Sequence, residues 1–265
     1  MAAGAYVEFA KRAFNRESVY RVQVFTRIGS ILLRVFLMAT LWTALYRTNG
    51  EQAGITLHAM ITYVTLALVI GLIYDVDGAY VIREKIREGS IAIDLMRPIS
   101  VPLYVFSDTI GQTLFSIVQI VPALLLSLLI VRLDPPANPL AALAFVVSVL
   151  MGFLLNYFID LVMATITFWT MEIFGVQIMV QFIVSLLSGA LVPLTLFPSG
   201  PLQKFVLALP FAGLYNNPIS MYIGLIKGPD IVSHLVVQAC WVAAFGLFAT
   251  ALWRVGERRV VVQGG

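Results

Sequence analysis

Residues 140–196 carry only two charges, Asp160 and Glu172, and that run limits the fold more than any other feature. As one continuous helix it would be about 85 Å long, nearly three times the ~30 Å hydrocarbon core of a bilayer. It must turn back once, and Asp160, Phe168, Trp169, Glu172 and Gly175 mark the reversal zone. Apolar runs at 103–131 and 231–253 also meet or exceed the roughly 20 residues that a spanning helix needs. Charged residues make up 12% of the chain, about half the share usual in soluble domains. Hydrophobic residues make up 60%, and the mean hydropathy is +0.93. The sequence therefore predicts an all-α polytopic membrane protein, a single transmembrane domain over residues 1–265.

Six spans are expected, at 28–46, 55–74, 103–131, 140–163, 174–196 and 231–253. Residues 1–25 are expected to form an interfacial helix. Tyr6, Phe9, Ala10, Ala13 and Phe14 fall on one helical face, with Lys11, Arg12 and Arg16 on the other. No secretory signal is expected, because this segment lacks an apolar core followed by a small-residue cleavage site. Residues 197–230 are interrupted by Pro198, Pro201, Pro210 and Pro218 and contain Asn216 and Asn217. They read as re-entrant extracytoplasmic helices, since broken helices at membrane depth survive only inside protein or along a cavity.

The bases fix an expected orientation. With both termini inside, the inner segments hold Lys11, Arg12, Arg16, Arg21, Arg27, Arg83, Lys85, Arg87, Arg97, Arg254, Arg258 and Arg259. The outer segments hold Arg47, Arg132, Lys204 and Lys227, so the bias is about three to one. The sequence pI of about 9.1 thus reflects membrane topology rather than nucleic-acid binding. The single Cys240 excludes a disulfide framework. His58 and His234 are isolated and have no metal-ligand spacing. A phosphate-binding Gly-x-x-x-x-Gly-Lys-Ser/Thr loop does not occur.

The inner loop at 80–100 is the most informative segment. Its first half is charged and helical, and Gly89 suits a left-handed helix end. Ser90 is placed to cap a short second helix, which carries Ile91, Ile93, Leu95 and Met96 before Pro98 stops it. The spacing of Ile91 and Leu95 puts both on one face, and a water-facing apolar knob of this kind calls for a partner groove. The string Arg-Glu-Gly-Ser-Ile-Ala-Ile-Asp-Leu-Met-Arg-Pro at 87–98 resembles the signature of ABC-2-type exporter permeases, in particular the short six-span subunits without large extra domains. The resemblance extends over essentially the whole chain. It implies that this loop is the coupling helix docking on an ATPase subunit, with Gly89, Ile91, Leu95, Arg97 and Pro98 as the coupling residues.

The same resemblance implies an exporter in a bacterial cytoplasmic membrane, and the apolar, aromatic-rich spans suit an amphipathic or lipid-like substrate. A second permease, identical or a paralogue, would complete the pathway. This chain would bind no cofactor and hydrolyse no ATP; ATP and Mg would sit on the separate ATPase subunit. An importer permease is disfavoured, because its Glu-Ala-Ala loop pattern is not matched at 83–98. The alternative reading is an ion-gradient-driven secondary transporter, for which Asp160 would be the membrane-embedded acid. Arg34, about seven residues into the first span, and Asp160 are candidates for the pathway or for structural charges, Arg34 by snorkelling to the headgroups and Asp160 by pairing with a base.

Overall fold

Five helices are long and apolar enough to cross a bilayer: α2 (Arg21–Asn49), α3 (Leu57–Tyr74), α6 (Val101–Ser127), α7 (Pro139–Thr170) and α11 (Pro229–Gly256). They belong to a computed structural model that describes residues 2–18, 21–51, 54–75, 78–170 and 173–259. Asp77 and Glu172 lie outside the described residues. Every regular element among the described residues is helical. The remaining helices are α1 (Ala2–Ser18), α4 (Gly78–Arg87), α5 (Ile91–Leu95), α8 (Phe174–Leu187), α9 (Pro201–Ala208) and α10 (Asn216–Tyr222).

Four of the expected crossings fall within a few residues of α2, α3, α6 and α11. The other two differ. The fourth, expected at 140–163, is α7, which continues through Asp160 and Phe168 to Thr170; α8 begins at Phe174, so the break falls inside the expected reversal zone. The fifth, expected at 174–196, is α8, a helix of 14 residues and thus about 21 Å long, short of a bilayer core. Gly189 ends it. This residue has φ +84°, and a Cβ there would lie 2.7 Å from the Tyr63 hydroxyl and 2.9 Å from the Asn216 Cβ. No side chain fits, so the chain must bend at that point.

Helix α7 is the central column, packed against α11, α4 and α10, while α2 packs on α3 and α6. The main core joins Trp42, Tyr63, Ile70 and Tyr74 to Leu155, Leu214 and Ile219. The second half of the proline-broken segment is inside the molecule: Asn216, Pro218, Ile219, Ser220 and Met221 are all buried in α10, whereas α9 leaves Leu202 and Phe205 exposed. Side chains bond the irregular backbone from Gly189 to Leu214 and tie it to α3, α7 and α11. Asn216 Oδ1 accepts from the Leu194 amide at 3.0 Å, and the Tyr63 hydroxyl donates to the Gly189 carbonyl at 2.8 Å. Gln238 Nε2 donates to Ser148 O at 2.8 Å and to Gly213 O at 2.9 Å. The Tyr74 hydroxyl lies 3.3 Å from Leu214 O, as well as 3.0 Å from Val149 O of α7. Burial without such partners would cost about 1–3 kcal/mol per group, so these polar side chains make the irregular segment tolerable at depth.

The N-terminal helix is tied to α6. A Cβ on Gly111 would sit 2.1 Å from the Ala10 carbonyl oxygen, so the two backbones touch. Phe9 meets Tyr104 edge-on at 4.6 Å and Phe14 meets Phe115 at 5.5 Å. Arg16 Nη2 donates to Asp108 Oδ2 at 2.9 Å, and this hydrogen bond raises the guanidinium pKa. The apolar face of α1 is thus covered by α6, at least in part, and the helix is docked on the bundle.

Candidate functional site

Two features stand out, a projecting arm at one end of the bundle and a polar cavity in its flank. The arm is α4. It ends at Gly89, whose φ of +74° fulfils the left-handed helix end expected there. The Gly89 amide donates back to the Ile86 carbonyl at 3.1 Å. Helix α5 follows. Ser90 does not cap it: Ser90 is itself helical, with φ −68° and ψ −13°, and its side chain makes no cap bond. The first turn is closed by the Gly89 and Ser90 carbonyls, which accept from Ala92 and Ile93 at 3.3 and 3.1 Å.

The expected outward face of α5 is turned inward. Ile91 is 2% exposed and Leu95 packs on the same cluster, which includes Ile82, Ile86, Val101, Val105, Tyr157, Leu161 and Trp253. Burying Ile91 contributes about 1.5–3 kcal/mol, enough to decide how a five-residue helix rolls. The apolar side chains left in solvent are Ile93 at 61% and Met96 at 86% exposure, three apart and so on one face. Charge fixes the same orientation. Asp94 is buried, pairs with Lys85 from α4, and accepts from Arg97 Nη1 at 3.2 Å. Arg97 and Pro98 are exposed beside it. The Ser100 amide donates to the Tyr6 hydroxyl at 3.2 Å, so α1 also braces the arm.

The cavity, of about 490 Å³, lies among α2, α3, α7 and α8. It contains both intramembrane charges singled out in the sequence, Arg34 and Asp160, and adds Asp75, Arg83, Asn156, Gln177, Gln181, Ser185 and Tyr215. Asp160 accepts from Asn156 Nδ2 at 3.0 Å. Asp75 faces Arg27 at 3.7 Å. Arg34 makes no hydrogen bond or ion pair among the described residues. The wall formed by Gln177, Gln181 and Ser185 escaped the sequence reading. Its signal was a four-residue spacing of polar side chains on an otherwise apolar helix. Among the described residues there is no group of His, Cys, Asp or Glu able to hold a metal. His234 Nδ1 instead lies 2.8 Å from the Asp230 carbonyl.

Five helices of spanning length, a shorter apolar α8 and a braced arm ending in α5 define a helical membrane protein. The chain belongs to the ABC-2 family transporter proteins, whose family model matches residues 32–264. No curated protein and no solved structure gives a match. Members of this family are membrane subunits of ABC transporters, generally not themselves enzymes, and they work with ATPase partners. The match begins inside α2, so the docking of α1 on α6 is a feature of this chain beyond the matched region.

Proposed function

We propose that this chain is the membrane-spanning permease subunit of an ATP-driven exporter for an amphipathic or lipid-like substrate. It sits in a bacterial cytoplasmic membrane with both termini inside, α8 and the bent chain after Gly189 together making the sixth crossing, and it pairs with a second permease, identical or a paralogue. The observation that carries this reading is the α5 knob: Ile93 and Met96 face solvent while Ile91 and the Lys85–Asp94 pair fix the helix to the bundle. Such a knob is suited to a groove on an ATPase subunit. The coupling role therefore belongs to Ile93 and Met96 as contact residues. Gly89, Ile91 and Leu95 set the helix in place, and Arg97 and Pro98 lie at its exposed end.

The packing supports a route for force. Ile91 shares one cluster with side chains from α4, α6, α7 and α11. Closure of two ATPase subunits on ATP would push α5 as a rigid piece, because its base is buried and ion-paired. That push would reach α6 directly and α7 and α11 through Tyr157, Leu161 and Trp253. Tyr157 also donates to the Pro102 carbonyl at 2.6 Å, linking α7 to the start of α6.

The test is purification of the tagged full chain from its native membrane in mild detergent. An ABC ATPase subunit should accompany it in near-stoichiometric amount, with ATP hydrolysis that stops when its phosphate-loop lysine is replaced. A chain that purifies without any ATPase and moves solute on an ion gradient would contradict the proposal.

A further inference from the structure

We infer that the cavity between α2 and α8 binds the acidic headgroup of an amphiphile, with Arg34 as the anion-binding residue. Its role as a transport site rests on the permease reading; binding itself does not. The charge inventory of the cavity is the first argument. Asp75 is paired with Arg27 and Asp160 is hydrogen-bonded to Asn156. Arg83, the second guanidinium of the lining, is already engaged; of the charged lining residues Arg34 is the one with no hydrogen bond or ion pair among the described residues. A guanidinium within a helix of this hydropathy carries a desolvation cost, and a carboxylate or phosphate held bidentately would offset it.

Position is the second argument. Arg27 and Arg34 are seven residues apart, so they lie on similar faces of α2 with Arg34 about 10 Å further along the axis. Arg27 already serves the α3 end, through Asp75 and through Ser116 at 3.4 Å. A base needed only for anchoring near that end is therefore present, and Arg34 opens into the cavity instead.

The opposite wall is the third. Gln177, Gln181 and Ser185 line the cavity from three successive turns of α8, covering about 12 Å. Gln181 offers an amide donor and acceptor there, and Ser185, whose hydroxyl donates to Phe182 O at 2.8 Å, offers an acceptor, without adding charge. The lining is mixed: Leu68, Leu72, Ile159, Met163, Val180 and Val184 share the cavity with the polar groups. A cavity that joins a base and amides to an apolar wall suits a charged head attached to a chain, whereas a free anion would leave the apolar wall unused. The volume falls in the range of small-molecule sites.

The test uses the full chain, purified with its accompanying ATPase subunit in neutral maltoside micelles and examined by native mass spectrometry. Short-chain phosphatidic acid and phosphatidylcholine are offered at equal concentration. The wild type should retain the acidic lipid over the choline lipid by about tenfold, as one charge-assisted contact allows. Arg34→Gln should abolish the preference and Arg34→Lys should keep part of it. Arg47→Gln, at the other end of α2, should leave it unchanged. A retained preference in Arg34→Gln, or an equal loss in Arg47→Gln, would overturn the site. Complete displacement by inorganic phosphate at the same concentration would overturn the amphiphile and assign the site to a free anion. The same spectra report the ATPase subunit. Arg34→Gln should keep it, and acidic-lipid preference without any ATPase would retain the site while removing the permease reading.

Discussion

Replacing Ile93 and Met96 together by aspartate should strip the ATPase subunit from the complex while leaving the chain folded in the membrane. Both side chains are exposed in this chain, at 61% and 86%, so the change disturbs no internal packing. In a groove each would contribute roughly 1.5–3 kcal/mol of apolar burial. Losing both corresponds to about two to four decades of affinity, before the cost of desolvating two carboxylates is added. Copurification and ATP hydrolysis should both fall to background, with membrane insertion unchanged. Leu95→Asp is a poorer probe, because Leu95 packs on the cluster around Ile91 and its loss would loosen the arm itself. A double variant that keeps its ATPase would remove Ile93 and Met96 from the interface.

Gly111→Leu should release α1 from the bundle. The nearest atom to a Cβ at this position is a backbone carbonyl, Ala10 O at 2.1 Å, followed by the Ala13 Cβ at 2.8 Å. Overpacking ordinarily costs about 1–3 kcal/mol when side chains can move aside; here a helix backbone must move. The Arg16–Asp108 pair and the Phe9–Tyr104 and Phe14–Phe115 contacts would go with it. Limited trypsin digestion should cut after Lys11 and Arg12 on the order of tenfold faster than in the wild type, which corresponds to about 1.4 kcal/mol of easier opening. Gly29→Leu is the control, since nothing lies within 4 Å of its Cβ position. Unchanged proteolysis in Gly111→Leu would show that α1 is not held by this contact.

The crossings of α2, α3, α6 and α11 were legible because length and hydropathy alone define them. The short α8 was not. Its end is set by Tyr63 and Asn216 closing on Gly189, contacts that no local pattern carries. Gly89 was legible, since few residues other than glycine end a helix in the left-handed region. The face that α5 presents was not, because Ile91, Ile93, Leu95 and Met96 leave a five-residue helix apolar on most sides. Only the position of the cluster around Ile82 and Trp253, and of Lys85 against Asp94, selects which side turns in. Arg34 and Asp160 were each visible as intramembrane charges. That they border one cavity depends on how α2 and α7 pack, and that α8 supplies its amide wall depends on which way Gln177 and Gln181 point.

Site-specific photo-crosslinking tests the central claim most directly. A benzophenone amino acid in place of Met96, and separately of Ile93, is irradiated in native membranes with the transporter intact. The account predicts a covalent adduct between position 96 or 93 and an ABC ATPase subunit, and none from Leu103, which is exposed at 52% on α6 outside the knob. Adducts only within this chain or with lipid, from both positions, would contradict it.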